Sequence, residues 1–310
     1  MFARPRPIAH AFARAALLLL VSTAVSAPSH AEDTSARDVS RIVSVGGDVT
    51  EILYELGLGD NVAAIDTTSV FPAQIPAEKK SVGYMRALAS EGVLAVGPTL
   101  VLATDKAGPP EVVDALKASS TPFITIEGAD TPEGVADKVA QVASIVGREE
   151  AGQTLAARIR AEFESAADAR KTITKPVKAL FFLSVQSGRA LAGGKDTAAD
   201  AMLALAGAEN VVSSFDGYKP LSGEAALALA PEAIIVMKAA PGHRTTEADS
   251  PIATEIAAIA GLASTPAVKN GRIIEFDGSL MLQFGPRAPQ AARELMHLLY
   301  PDIVPARRIN

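Results

Sequence analysis

The chain has no cysteine and no tryptophan, and only four tyrosines and four histidines among 310 residues. Without cysteine there are no disulfides, thiolate metal sites or cysteine nucleophiles, so stability rests on apolar cores. So few large aromatic rings make a sparse set for stacking on bulky catecholate ligands. No run reaches about 18 consecutive apolar residues, so no transmembrane helix is required. Neither Gly-x-Ser-x-Gly nor His-Glu-x-x-His occurs, and with them go two readable signatures of hydrolases. The glycine spacings of nucleotide-binding loops are missing too. Gly193-Gly194-Lys195-Asp196-Thr197 is read as a turn into a helix.

The first 31 residues read as a signal peptide. Arg4, Arg6 and Arg14 form a basic start, Ala15 to Val25 an apolar core, and Ser29-His30-Ala31 a small-residue cleavage site. No cysteine follows that core to carry a lipid. Cleavage would leave two histidines, His243 and His297, too few for a three-histidine metal site. It would also shift the formal charge from −6 to −9, since the three arginines leave 26 basic against 35 acidic residues. An acidic exported protein is a poor candidate for binding nucleic acid or a membrane surface.

The rest predicts two similar α/β lobes. Residues 32–40 are expected to be a flexible mature N-terminus, 41–147 a first lobe, 148–175 a long helix and 176–310 a second lobe. Short apolar strands such as Ile42–Val45 and Val62–Ile65 alternate with helices, one opened by Asp48 or Thr50 and another by Thr131-Pro132-Glu133. Leu155, Ile159, Phe163 and Ala166 lie on one helical face. They predict a helix over about 149–171 acting as a rigid connector. A helix at Thr254–Ala260, a strand at Arg272–Phe276 and a last helix from Pro289 to Leu299 complete the pattern.

Two segments repeat. Ser81 to Thr104 and Ser222 to Met237 each place a glutamate seven residues before a proline (Glu91 and Pro98, Glu224 and Pro231), with an apolar strand following. A glutamate in a helix's first turn is favoured by the macrodipole alone. One in each lobe also suits docking on a partner with two basic groups. Only the first copy has a Tyr-x-Arg in front of it, Tyr84 and Arg86, and that asymmetry suits a single ligand held by one lobe. A phenolate is a hard ligand for ferric iron and ligates haem in some proteins. Arg86 would stabilise it if the loop is extended. A half-buried tyrosine stacked by an arginine is the competing reading. In Leu280 to Arg287, Met281 suits either a planar apolar ligand or the core, and Arg287 either a ligand carboxylate or a local cap.

These features resemble the helical-backbone class (class III, cluster A) of periplasmic substrate-binding proteins of ABC importers, which serve haem, cobalamin and ferric siderophores. The resemblance runs from Arg41 to Pro301. It rests on Arg41 to Glu51, on the two glutamate repeats and on Gly193 to Asn210. Gly83-Tyr84-Met85-Arg86-Ala87-Leu88 and Phe284-Gly285-Pro286-Arg287 are similar to the haem-binding branch. The resemblance implies two α/β sandwich lobes joined by one long α-helix, and a cleft holding ferric haem. Tyr84 would be the axial iron ligand, supported by Arg86, with Met281 and Arg287 against the macrocycle. Glu91 and Glu224 would dock on the permease dimer in the inner membrane. It implies a periplasmic, non-enzymatic monomer. A siderophore or cobalamin binder is the alternative within the class. An exported α/β enzyme, or an adhesion module contacting its partner through the paired glutamates, is the alternative outside it. His243 is a weak candidate for a second haem.

Overall fold

The computed structural model describes residues 37–186, 188–238 and 251–304. The expected signal peptide, His243 and Arg244 lie outside them. Of the expected flexible stretch 32–40, the last residues are attached. Val39 packs on the core, and its carbonyl accepts from Asn61 Nδ2 at 3.0 Å.

The first lobe is a parallel sheet of β1 (Ile42–Val45), β2 (Val62–Ile65), β3 (Lys80–Ser81), β4 (Leu100–Thr104) and β5 (Phe123–Ile126), ordered β3-β2-β1-β4-β5. Every residue of β1 and β4 is buried. A parallel strand covered on both faces reads as a near-continuous apolar run, which is why these two were legible. The second lobe contains β6 (Lys178–Gln186), β7 (Arg189–Gly193), β8 (Glu209–Asn210), β9 (Tyr218–Leu221), β10 (Ala233–Lys238) and β11 (Ile273–Asp277). Its order is β11-β10-β6-β7-β9, with β8 beside β6. Position by position this matches the first sheet: β4 and β10 follow the glutamate repeats, and β3 and β9 are the edges. The difference is β7, which runs antiparallel to both neighbours.

Some helix starts follow local capping chemistry and others do not. Thr131 Oγ1 accepts from Gly134 N at 3.0 Å and caps helix Pro132–Ile145. Helix Gly47–Glu55 is instead entered from Gly46 at φ 106, with no side-chain cap. Asp48 and Thr50, the expected caps, lie inside the helix with other partners. Thr50 Oγ1 bonds the Ser44 and Ser69 hydroxyls at 2.7 Å each. Helix Pro251–Ala258 begins three residues before the expected Thr254, since proline suits a first turn.

Helix Glu149–Arg170 joins the lobes. Its 22 residues span roughly 33 Å at 1.5 Å each. The buried face of Leu155, Ile159, Phe163 and Ala166 is the one expected. Leu155, Ile159 and Phe163 enter one continuous core with Val139 and Val142 of the first lobe and Leu295 and Met296 of the second. Polar ties fasten it to each lobe. Arg158 Nη2 meets Glu55 Oε2 at 3.0 Å, and Arg293 Nη1 donates to the Ser165 carbonyl at 3.0 Å. Each sheet also has a core of its own on its other face. A large rotation of one lobe would open the shared core to water, so the connection is stiff. Among the described residues no helix is long and apolar enough to cross a membrane.

Candidate functional site

A cavity of about 600 Å³ lies between the lobes, within the usual range for small-molecule sites. The first lobe contributes Thr68, Tyr84, Arg86 and Lys106 to its wall. The second contributes Thr197, Tyr218, Lys238 and Ser279.

Tyr84 and Arg86 are presented by a turn. The Ala87 amide donates to the Tyr84 carbonyl at 2.8 Å, so the segment turns, and the extended course on which Arg86's support was conditional is not the one adopted. Two further backbone bonds clamp it: Thr67 N to the Gly83 carbonyl at 2.9 Å, and Gly108 N to the Met85 carbonyl at 2.8 Å. Beneath it lies the fully buried Asp66, whose carboxylate accepts from the Gly46 and Thr68 amides and from the Thr68 and Ser69 hydroxyls at 2.6–2.8 Å. Thr68 Oγ1 in turn reaches Met85 Sδ at 3.7 Å. The result is a rigid loop with Tyr84 46% exposed toward the cavity. Nothing in the sequence pattern singled out Asp66, a residue made important by contacts distant along the chain.

Charge in the cleft is mostly paired. Lys106 Nζ lies 2.8 Å from Asp130, and Lys238 Nζ 3.4 Å from Glu275. Among the described residues no carboxylate forms an ion pair with Arg86, which leaves its charge for a ligand. Burial pushes the Tyr218 phenol above its ordinary pKa, with hydrogen bonds from Ala199 and Thr197 and the charge of Arg86 opposing and that of Asp130 reinforcing. It therefore stays neutral at physiological pH.

Two expected ligand contacts are used elsewhere. Arg287 Nε donates to Glu51 Oε1 at 3.0 Å, its Nη2 bonds the same oxygen, and its guanidinium lies 3.8 Å from the Phe71 ring centre. It ties the lobes together instead of lining the cavity, because a buried carboxylate needs a cation. Met281 is fully buried in the shared core and does not reach the cleft. Its neighbour Gln283 does line the cavity, and its Nε2 donates to the Thr68 carbonyl at 2.7 Å. Lys138 Nζ completes the junction, 2.7 Å from Asp48 Oδ2 and 3.4 Å from the Gln283 carbonyl. The junction is so close that a Cβ on Gly47 would sit 2.2 Å from Gln283 Oε1. Glu51, Lys138 and Gln283 were not singled out from sequence, since each has its role only once the lobes meet.

Glu91 and Glu224 are exposed in the first turns of helices Ser90–Leu94 and Gly223–Leu229. His297 is half-buried and bonded through Nδ1 to the Val304 carbonyl at 2.6 Å, a structural role. The Tyr-x-Arg pair stays confined to the first copy, since Lys219 and Pro220 follow Tyr218, but the second copy does present a tyrosine of its own. Tyr218 stands before Glu224 as Tyr84 stands before Glu91, and both line the cavity.

Two α/β lobes on one connecting helix, enclosing a cleft, define a two-lobed ligand-binding protein. The chain belongs to the periplasmic binding protein family, whose model matches residues 42–280. It is similar to a periplasmic heme-binding protein, RhuT, from Roseiflexus sp. RS-1, with 32% identity and a TM-score of 0.77 over 84% of this chain and 98% of that one. It is 27% identical to an uncharacterized ABC transporter substrate-binding lipoprotein, YvrC, of Bacillus subtilis, over 89% of this chain and 86% of the relative. It is also 27% identical to a vitamin B12-binding protein of Vibrio campbellii, over 64% of this chain and 70% of that protein. The fold is the class III binding-protein fold, and the family consists of binding proteins rather than enzymes. Family and lipoprotein relative both point outside the cytoplasm.

Proposed function

We propose that this protein binds ferric haem in the periplasm and hands it to the permease dimer of an ABC importer. The observation that carries the reading is Tyr84, an exposed phenol on the wall of a cleft of suitable volume, with Arg86 two residues on and in no ion pair among the described residues. Haem brings four nitrogen donors, so one phenolate completes its attachment. Arg86, carried on the same turn, would favour that phenolate by its charge. The 32% identity to a heme-binding protein over most of both chains supports the same ligand. No chemistry is asked of the site beyond binding and release. Glu91 and Glu224, one per lobe, are the proposed docking points on the permease, and the protein acts as a monomer.

Cobalamin is the second reading, favoured by the vitamin B12-binding relatives. Its cobalt has no need of a phenolate, so Tyr84 separates the two. Titrating the purified protein with ferric haem should give saturable high-spin ferric features that disappear in Tyr84→Ala. Absence of saturable binding at micromolar haem, alongside tight binding of cobalamin, would replace the first reading with the second.

A further inference from the structure

We infer that Tyr218 is the second-lobe wall of this ligand site: its ring packs on the macrocycle face turned away from Tyr84, and its oxygen does not ligate the metal. The inference rests on the reading above and adds to it the residue that covers the ligand from the other lobe.

The equivalence of the two tyrosines comes first. Each follows a glycine in the positive-φ region, Gly83 at 93° and Gly217 at 76°, and each precedes the glutamate of its repeat, by seven residues in one lobe and six in the other. Each also belongs to the same edge of its sheet. Tyr84 follows β3, Tyr218 opens β9, and β3 and β9 hold matching places in the two strand orders. The two tyrosines thus face one cavity from opposite lobes.

Their settings differ in a way that assigns different tasks. Tyr84 is exposed, on a turn, with Arg86 beside it. Tyr218 is half-buried, and its ring is backed by Gly193, where a Cβ would come within 3.3 Å of Tyr218 Cε1. The Thr197 side chain and the Ala199 amide, at the start of helix Ala198–Leu205, are the polar groups facing its oxygen. Thr197 is itself fixed, donating to the Gly194 carbonyl at 2.9 Å and accepting from Asp200 N at 3.1 Å. The oxygen is therefore turned into the protein and the ring is left for the cavity. A phenol that stays protonated is a weak ligand for ferric iron, whereas an aromatic face held against backbone is a good platform for a planar ring system.

The test compares wild type, Tyr218→Leu and Tyr218→Phe by ferric haem titration, with melting curves to show that each is folded. Stacking on an aromatic side chain contributes about 1–3 kcal/mol, so Tyr218→Leu should bind about ten-fold more weakly. Tyr218→Phe restores the ring and should recover affinity to within about two-fold of wild type, with the ferric spectrum unmoved. Wild-type affinity in Tyr218→Leu would overturn the inference. So would a shift of the ferric bands in Tyr218→Phe, which would make Tyr218 a ligand, and that variant keeps the packing if the leucine form melts early. If wild type itself takes up no haem, the proposed function fails and this inference with it; if wild type binds and Tyr218→Leu binds equally, only this inference fails.

Discussion

Arg287 reaches across from the second lobe to bond Glu51 of the first through both Nε and Nη2, with Phe71 against its face. Two residues 236 apart in sequence thus form one ion pair at the meeting of the lobes. Glu51 is almost wholly buried and Arg287 largely so. Such a pair is costly to break from one side, because the remaining charge is left in a poorly solvated place.

Glu51→Ala or Arg287→Ala should each lower unfolding stability by about 3–5 kcal/mol. The double variant should lose less than the sum, since it strands neither charge. Denaturant unfolding of the four proteins measures the coupling. Simple additivity would show that the pair does not hold the lobes.

Burial raises the pKa of Glu51 above its ordinary 4.5, with Asp48 adding to the rise and Arg287 opposing it. The native protein thus holds this proton at pH values where the unfolded chain has released it, and the ion pair with Arg287 is complete only above the raised pKa. The stability contributed by the protonated form is fully present below 4.5 and is lost as pH rises through the raised native pKa. Glu51→Gln should remove this component. Stability of the two proteins measured from about pH 4 to 8 should give diverging curves, and parallel curves would contradict the assignment.

Arg86→Ala should weaken ferric haem binding about ten- to a hundred-fold, the equivalent of one charge-assisted hydrogen bond at about 1.5–3 kcal/mol. Arg86→Lys should recover part of the loss, because charge returns without the guanidinium's geometry. If Arg86→Ala binds like wild type while Tyr84→Ala does not, the phenolate is stabilised by some other group.

Glu91→Ala combined with Glu224→Ala should abolish haem-dependent growth through the importer and leave haem affinity within about two-fold of wild type. Both side chains are exposed at helix starts and neither lines the cavity. A fall in affinity would show that these glutamates serve the cleft rather than the partner.

Much of this protein follows from local pattern. The buried runs Ile42–Val45 and Leu100–Thr104 are mostly apolar, broken only by Ser44 and ended by Thr104, so composition and burial agree. The face of Leu155, Ile159, Phe163 and Ala166 repeats at helical spacing over about three turns. Turn chemistry marked the Tyr84 loop, and the repeated glutamates marked two related lobes. Where expectations failed, distant contacts had overruled local ones. Met281 and Arg287 stand between the last strand and the last helix, Met281 within the short helix Gly278–Leu282, and sequence could not say which way either side chain turned. Tyr218 repeats the Gly-Tyr step of Tyr84 but lacks the arginine two residues on.

By itself, then, the sequence determined the two-lobed α/β plan, the connecting helix and the Tyr84 loop, because hydrophobic period, capping and turn preference act over a few residues. Only the tertiary structure decided that Arg287 belongs to Glu51, that Met281 belongs to the core and that Tyr218 shares a cavity with Tyr84. A buried charge takes the partner that desolvation demands, and that partner is known only when the lobes have met.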